Sequence, residues 1–232
     1  MARGGASPEL LHHWFLATLD RFPDRPALRV QDRTWTYAEL HRRAASWAAA
    51  LAGGARPPRR VGILAAKSEE AYAGLLASLY AGAAAVPLGP ELPVERNRAI
   101  AAAAGVDALV VDPAGAEQMD AIVDAVAPAT VLAPRLGRVP GVETLPAVRS
   151  RSAGDVAYVV FTSGSTGGPK GVPISHGNAN GVCATCHTNS NDYSIFQCTQ
   201  CHGGNVSANF RHPNTNGYVY NSVNCYQCHG GG

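Results

Sequence analysis

Residues 156–176 read VAYVVFTSGSTGGPKGVPISH. Residues 156–161 are an apolar β-run, and a loop of glycines and hydroxyl residues follows without a break. The hydroxyls of Thr162, Ser163, Ser165 and Thr166 can donate to phosphate oxygens. Gly164, Gly167 and Gly168 set no side chain in a ligand's way, and their free dihedrals let consecutive backbone N–H groups converge on an anion. Lys170 adds a point charge. The loop is not a Walker motif: Pro169 stands where that motif needs Gly before the Lys, and Gly171 replaces its Ser/Thr. A flexible Ser/Gly linker is the bland alternative. Pro169-Lys170 and the β-runs on both sides argue against it.

Upstream of this stretch the chain alternates between helix and strand signals. Pro8-Glu9 opens an amphipathic segment with Leu10, Leu11, Trp14, Phe15 and Leu19 near one helical face. A strand is predicted at 27–30. Thr36 and Glu39 fit a capping box for a helix that runs to about Leu51 and stops at Gly53-Gly54. Further strands are predicted at 61–65, 84–88, 108–111 and 130–132. Helices are predicted from Ser68 to near Gly82, from Val94 to Gly105, and over 117–126. Short, continuously apolar strands between helices imply an α/β fold with a mainly parallel sheet covered by helices on both faces.

At this point the residues resemble a family. The run from Tyr158 to His176 is similar to the phosphate-loop signature of the adenylate-forming (AMP-binding) superfamily, which includes acyl-CoA synthetases and the adenylation domains of nonribosomal peptide synthetases. Arg25-Pro26-Ala27 leading to Thr34-Trp-Thr-Tyr-Ala-Glu-Leu40 resembles its first motif. LLASLYAGAAAVPLGP at 75–90 resembles its second, with Gly89 where many peptide-synthetase members carry Asp. The resemblance covers about residues 8–180. It implies that a carboxylate attacks the α-phosphate of ATP, giving an acyl-adenylate and pyrophosphate. Thr162, Ser163, Gly164, Ser165, Thr166, Gly167, Gly168 and Lys170 would orient the polyphosphate with Mg2+. It also implies that the adenine site, the ribose-binding Asp, the acyl pocket and the C-terminal catalytic Lys lie beyond the loop. The resemblance therefore points to a truncated carboxylate-adenylating ligase region without a complete catalytic set, whose small-molecule partner is a carboxylate.

Downstream the composition changes abruptly. Residues 1–180 hold 38 Ala, 16 Arg, 3 Asn and no Cys, whereas 181–232 hold 2 Ala, 1 Arg, 8 Asn and all six Cys. The tail contains Cys183-Ala-Thr-Cys186-His187, Cys198-Thr-Gln-Cys201-His202 and Cys225-Tyr-Gln-Cys228-His229. This pattern reads as c-type haem attachment. Two thiols about one helical turn apart add to the two vinyl groups of one porphyrin, and the next His reaches the iron. His187, His202 and His229 are then the proximal ligands. His212 is the first distal candidate and His176 the second. The 52-residue tail has no Leu and a single Ile, too little for an aliphatic core, so haem would have to supply one. The run from Phe210 to His229 resembles multihaem cytochromes of the class III type. A zinc site on Cys183, Cys186, Cys198 and Cys201 is a second reading, and disulfides or redox dithiols are a third.

The two halves, 1–180 and 181–232, read as fragments of unrelated origin joined near residues 178–182; a fused redox ligase is the rival. The net charge of +2 gives no reason to expect a nucleic-acid or membrane-surface partner. His12, His13 and Asp20 break the first apolar run, so no signal peptide or membrane span is expected. The first half is thus expected to be cytoplasmic. Haem attachment would need a periplasmic or extracellular setting, and a redox partner once haem is loaded.

Overall fold

The computed structural model describes residues 10–30, 32–54, 56–136, 151–163 and 168–179, with the side chains of Leu136, Thr162 and Ser163 outside that description. The chain divides after Gly177, and the unit up to that residue carries the architecture below.

Helix α1 (Leu11–Arg21) leads into two short strands, β1 (Pro26–Val30) and β2 (Arg33–Thr36). Helix α2 (Tyr37–Ala52) opens on the expected capping box: the Thr36 hydroxyl accepts from the Glu39 N–H, and the Thr36 N–H donates to the Glu39 carboxylate. That backbone donor holds the Glu39 carboxyl below its ordinary pKa. The alternation then runs β3 (Arg60–Leu64), α3 (Glu69–Tyr80), β4 (Ala84–Leu88), α4 (Val94–Ala104), β5 (Ala108–Val111), α5 (Ala116–Val126) and β6 (Thr130–Leu132). Two longer strands, β7 (Val156–Ser163) and β8 (Pro169–Ser175), complete the sheet. Ser68 caps α3 through Ala71 N–H, and Gly105, at φ 64, ends α4 in the left-handed region that favours glycine.

The main sheet has six strands in the order β6-β5-β3-β4-β7-β8. Every neighbouring pair is parallel except β7–β8, which is antiparallel. Alternate residues of each strand enter different cores. Val61, Ile63, Ala85, Ala108 and Val110 join α2 and α3 on one face. Leu64, Val86, Leu88, Leu109, Val111 and Val159 join α4 and α5 on the other. Side chains alternate with a period of two, so strands that are apolar throughout fill both faces.

Two features depart from the expected alternation. The strand foreseen at 27–30 does not enter the main sheet; β1 pairs antiparallel with β2 as a separate ribbon. Trp35 explains its place. The indole is buried in the α2–α3 core, and the guanidiniums of Arg33 and Arg43 lie 3.6 and 4.7 Å from its ring centroid. The other departure is the antiparallel return of β8 along β7.

Because the Thr36 cap satisfies an otherwise unpaired helix-end donor, Thr36→Ala is expected to cost about 1 kcal/mol of unfolding free energy and Thr36→Ser much less, as read by urea denaturation.

Candidate functional site

Parallel pairing of β3 with β4 and β5, and of β4 with β7, brings the carboxyl ends of these strands to one edge of the sheet. Ligands of open α/β sheets bind outside that edge. Strand β7 runs out to Ser163 and β8 returns from Pro169, with Ser163 opposite Pro169 and Thr162 opposite Lys170. The paired strands thus reach further than the sequence suggests: Thr162, Ser163, Pro169, Lys170 and Gly171, read there as loop, lie in β7 and β8, and residues 164–168 connect them at the carboxyl end of β7. Gly168 is exposed, and a Cβ there would meet nothing within 4 Å. Lys170 is exposed and has no ion-pair partner among the described residues. Gly164, Ser165, Thr166 and Gly167 lie outside the described residues, as do the side chains of Thr162 and Ser163.

Gly171 has a role of its own. It sits opposite Phe161, and a Cβ on it would come within 2.9 Å of the Phe161 ring. A side chain at this position would require that ring to shift.

Beside the hairpin lies a groove of about 860 Å³ at the ends of β3, β4 and β7, lined by Lys67, Tyr72, Gly89, Glu91, Arg96 and Phe161 among others. Sequence reasoning passed over its charged members. Lys67 follows a strand end and Arg96 lies in the first turn of α4, and that position was the available signal. The Glu91 carboxylate lies over Gly89: a Cβ at residue 89 would be 2.2 Å from Glu91 Oε1. The space that an Asp at this position would use is thus filled by the side chain two residues on.

A buried clamp fixes the β3–β5 part of the edge. Asp112, 2% exposed, accepts from Ala66 N–H through Oδ2 and from Gly115 N–H through Oδ1, both at 2.9 Å. Its own N–H donates to Leu64 O. Gly115 is required by this close approach, since a Cβ would lie 2.4 Å from Leu64 O. Next to the clamp, the first turn of α3 buries Glu69 and Glu70. Arg43 Nη1 lies 3.0 Å from Glu69 Oε1. Arg135 Nε lies 2.8 Å from Glu70 Oε1, ionic in distance but without hydrogen-bond direction. Among the described residues no group of three His, Cys, Asp or Glu side chains is arranged to hold a metal ion.

The proposed haem set, Cys183, Cys186, His187, Cys198, Cys201, His202, His212, Cys225, Cys228 and His229, lies outside the described residues. His176 is described and is committed elsewhere: it is buried, and its Nδ1 accepts from Leu11 N–H. This corrects its reading as a second distal iron ligand. No helix among the described residues is long and apolar enough to cross a membrane.

A family model described as AMP-binding enzyme matches residues 15–210. Among curated proteins, the AMB antimetabolite synthetase AmbB of Pseudomonas aeruginosa is 39% identical over 171 residues, which is 73% of this chain and 13% of AmbB. Among solved structures, IdnL7 superposes with a TM-score of 0.67 at 37% identity, over 78% of this chain and 37% of that one. The AMPPNP-bound form of the nonribosomal peptide synthetase FmoA3 superposes with a TM-score of 0.65 at 28% identity, over 80% of this chain and 20% of that one. The chain spans under two-fifths of the length of each.

The Asp112 clamp yields a measurable consequence. Asp112→Ala removes the acceptor of the exposed Ala66 N–H, while the Gly115 N–H keeps its bond to the Asp112 backbone carbonyl, and a lost hydrogen bond of this kind costs about 0.5–1.5 kcal/mol. The variant is expected to lose about 1 kcal/mol in chemical denaturation, with Asp112→Asn intermediate because one side-chain acceptor survives.

Proposed function

The chain belongs to the AMP-binding enzyme family, and from that premise we propose that the hairpin at 162–170, strand ends and connection together, grips the triphosphate of ATP for carboxylate adenylation. The observation that carries this reading is the loop's place at the carboxyl edge of a parallel sheet, with Gly168 open and Lys170 exposed and unpaired among the described residues. Converging backbone N–H groups would bind phosphate oxygens, joined by the hydroxyls of Thr162, Ser163, Ser165 and Thr166. The Lys170 ammonium would offset charge on the departing pyrophosphate, and Mg2+ would enter with the nucleotide. AMPPNP binding by FmoA3 supports ATP as the nucleotide. The reaction joins a carboxylate oxygen to the α-phosphorus and expels pyrophosphate.

The 232-residue polypeptide is expected to hold the triphosphate without forming an adenylate. The family resemblance assigns adenine, ribose and acyl recognition to segments after the loop, and the chain matches only 37% of IdnL7. Which carboxylate the family site would take is set by those segments. Residues 1–180 form this region in the proposal, with the cytoplasm as its setting.

A second reading belongs to residues 181–232, carried by three repeats of Cys-x-x-Cys-His. Cys183, Cys186, Cys198, Cys201, Cys225 and Cys228 would bind haem c, with His187, His202 and His229 as proximal ligands and His212 as a distal one. Bound haem would supply one-electron transfer to a redox partner. Zinc on the paired cysteines is the alternative. Mass spectrometry of the tail after export to a periplasm with haem-attachment machinery distinguishes them: added haem mass supports haem c, and zinc without haem supports the alternative.

For the phosphate loop, a charge-assisted contact is worth about 1.5–3 kcal/mol. Lys170→Ala should therefore weaken binding of magnesium triphosphate at least about tenfold by calorimetry. Equal affinity in the variant would contradict the assignment. Substrate-dependent ATP–pyrophosphate exchange by the unmodified chain would contradict the claim that later segments are needed.

A further inference from the structure

Helix α1 begins without a cap of its own. Leu10 stands at the N-cap in extended conformation and provides no side-chain acceptor. The acceptor comes from 165 residues away, where His176 Nδ1 takes the Leu11 N–H at 3.1 Å. His176 is held directly after β8, because its own N–H donates to Asp155 O at 2.9 Å and the next amide, Gly177 N–H, donates to Ala153 O at 2.7 Å. Around it the aromatic rings close in. His12, 6% exposed, lies edge-on to His176 at 6.0 Å, to Tyr80 at 5.6 Å and to His13 at 4.9 Å. The His12 Nδ1 has no hydrogen-bond partner among the described residues.

This arrangement requires neutral rings. An Nδ1 that accepts a hydrogen bond places the ring proton on Nε2. A second proton at Nδ1 would turn the acceptor into a donor facing another N–H. It would also set a cation at a helix N-terminus, whose free amides already carry partial positive charge. A proton on His12 would be buried without a partner. We propose that His176 is a titratable long-range cap for α1 and, with His12, forms a latch that holds the helix at neutral pH and releases it in acid.

The charged and titratable groups around the latch come from every neighbouring element. His13 lies on α1, Tyr80 on α3, and His41 on α2 with its Nδ1 3.0 Å from the Tyr80 hydroxyl. Arg151 and Asp155 lie in the turn before β7. Burial is the largest influence on both latch rings. It lowers the His12 pKa to about 4, with help from His13 and His176. It lowers that of His176 as well, opposed by Asp155 and reinforced by Arg151 and His13. Burial also lowers His41 and raises the Tyr80 phenol. A base whose pKa is lowered by docking binds more protons when released. Docking is thus fully favoured above the ordinary histidine pKa and weakens as pH falls through it toward 4. With values of about 4 docked and about 6.5 released, His12 alone lowers the ratio of docked to released helix about 20-fold between pH 7 and pH 5.

Amide hydrogen exchange on the full chain, corrected for the intrinsic rate, tests the latch. Protection across α1 should fall at least about 20-fold from pH 7 to pH 5 while α3 keeps its protection. His176→Gln, which retains an acceptor that does not titrate, should reduce this dependence, and His12→Phe combined with it should abolish it. Protection of α1 that ignores pH, an unchanged dependence in the double variant, or parallel loss in α3 would each overturn the proposal. Should the variants not fold, imidazole 15N shifts in the unmodified chain decide it. A neutral Nε2–H tautomer of His176 at pH 7, titrating below the ordinary value, supports the latch; titration at or above that value overturns it.

Discussion

The parallel sheet must bury both of its faces, and most of the molecule follows from that. A parallel strand cannot leave one side to water as an edge ribbon can, so its residues must be apolar in both parities. The strand pairs Ile63/Leu64, Val110/Val111 and Ala85/Val86 show the result, each sending one side chain to the α2–α3 core and the next to the α4–α5 core. Parallel register then aligns the carboxyl ends of β3, β4, β5 and β7 along a single edge. The glycine-rich hairpin owes its position at the sheet edge to this alignment.

The edge is not uniform. Between β3 and β5 it is sealed by the Asp112 carboxylate and by the close approach of Gly115 to Leu64. Around β4 and β7 it stays accessible, with the hairpin loop, the groove and the cations of Lys67, Arg96 and Lys170. A sealed side thus stands beside an open one. The ring of Phe161 lies over Gly171 at the root of the hairpin.

Much of this was legible in the sequence, because local physics writes it there. The Thr36/Glu39 capping box, the Ser68 cap and the left-handed Gly105 are decided within a few residues, and β4, β5 and β6 fall where their apolar runs stand. What depends on distant partners was not legible. The departure of β1 into a ribbon with β2 needs Trp35 in a core built by α2 and α3. The antiparallel return of β8 needs the register of β7. The Asp112 clamp joins residues 46 apart, and the His176 cap joins residues 165 apart. Of the candidate site, the end of β7 at the carboxyl edge could be read from the apolar run at 156–161. The groove could not, since Lys67, Glu91 and Arg96 converge only through the fold.

The account rests on the hairpin at 162–170 being the anion grip of this edge. Amide shift changes in the full chain on addition of magnesium triphosphate test that most directly. The account predicts the largest shifts at the glycine amides of 164, 167 and 168 and at Lys170. Silent loop amides, with shifts instead at Lys67, Gly89 and Arg96 in the groove, would contradict it.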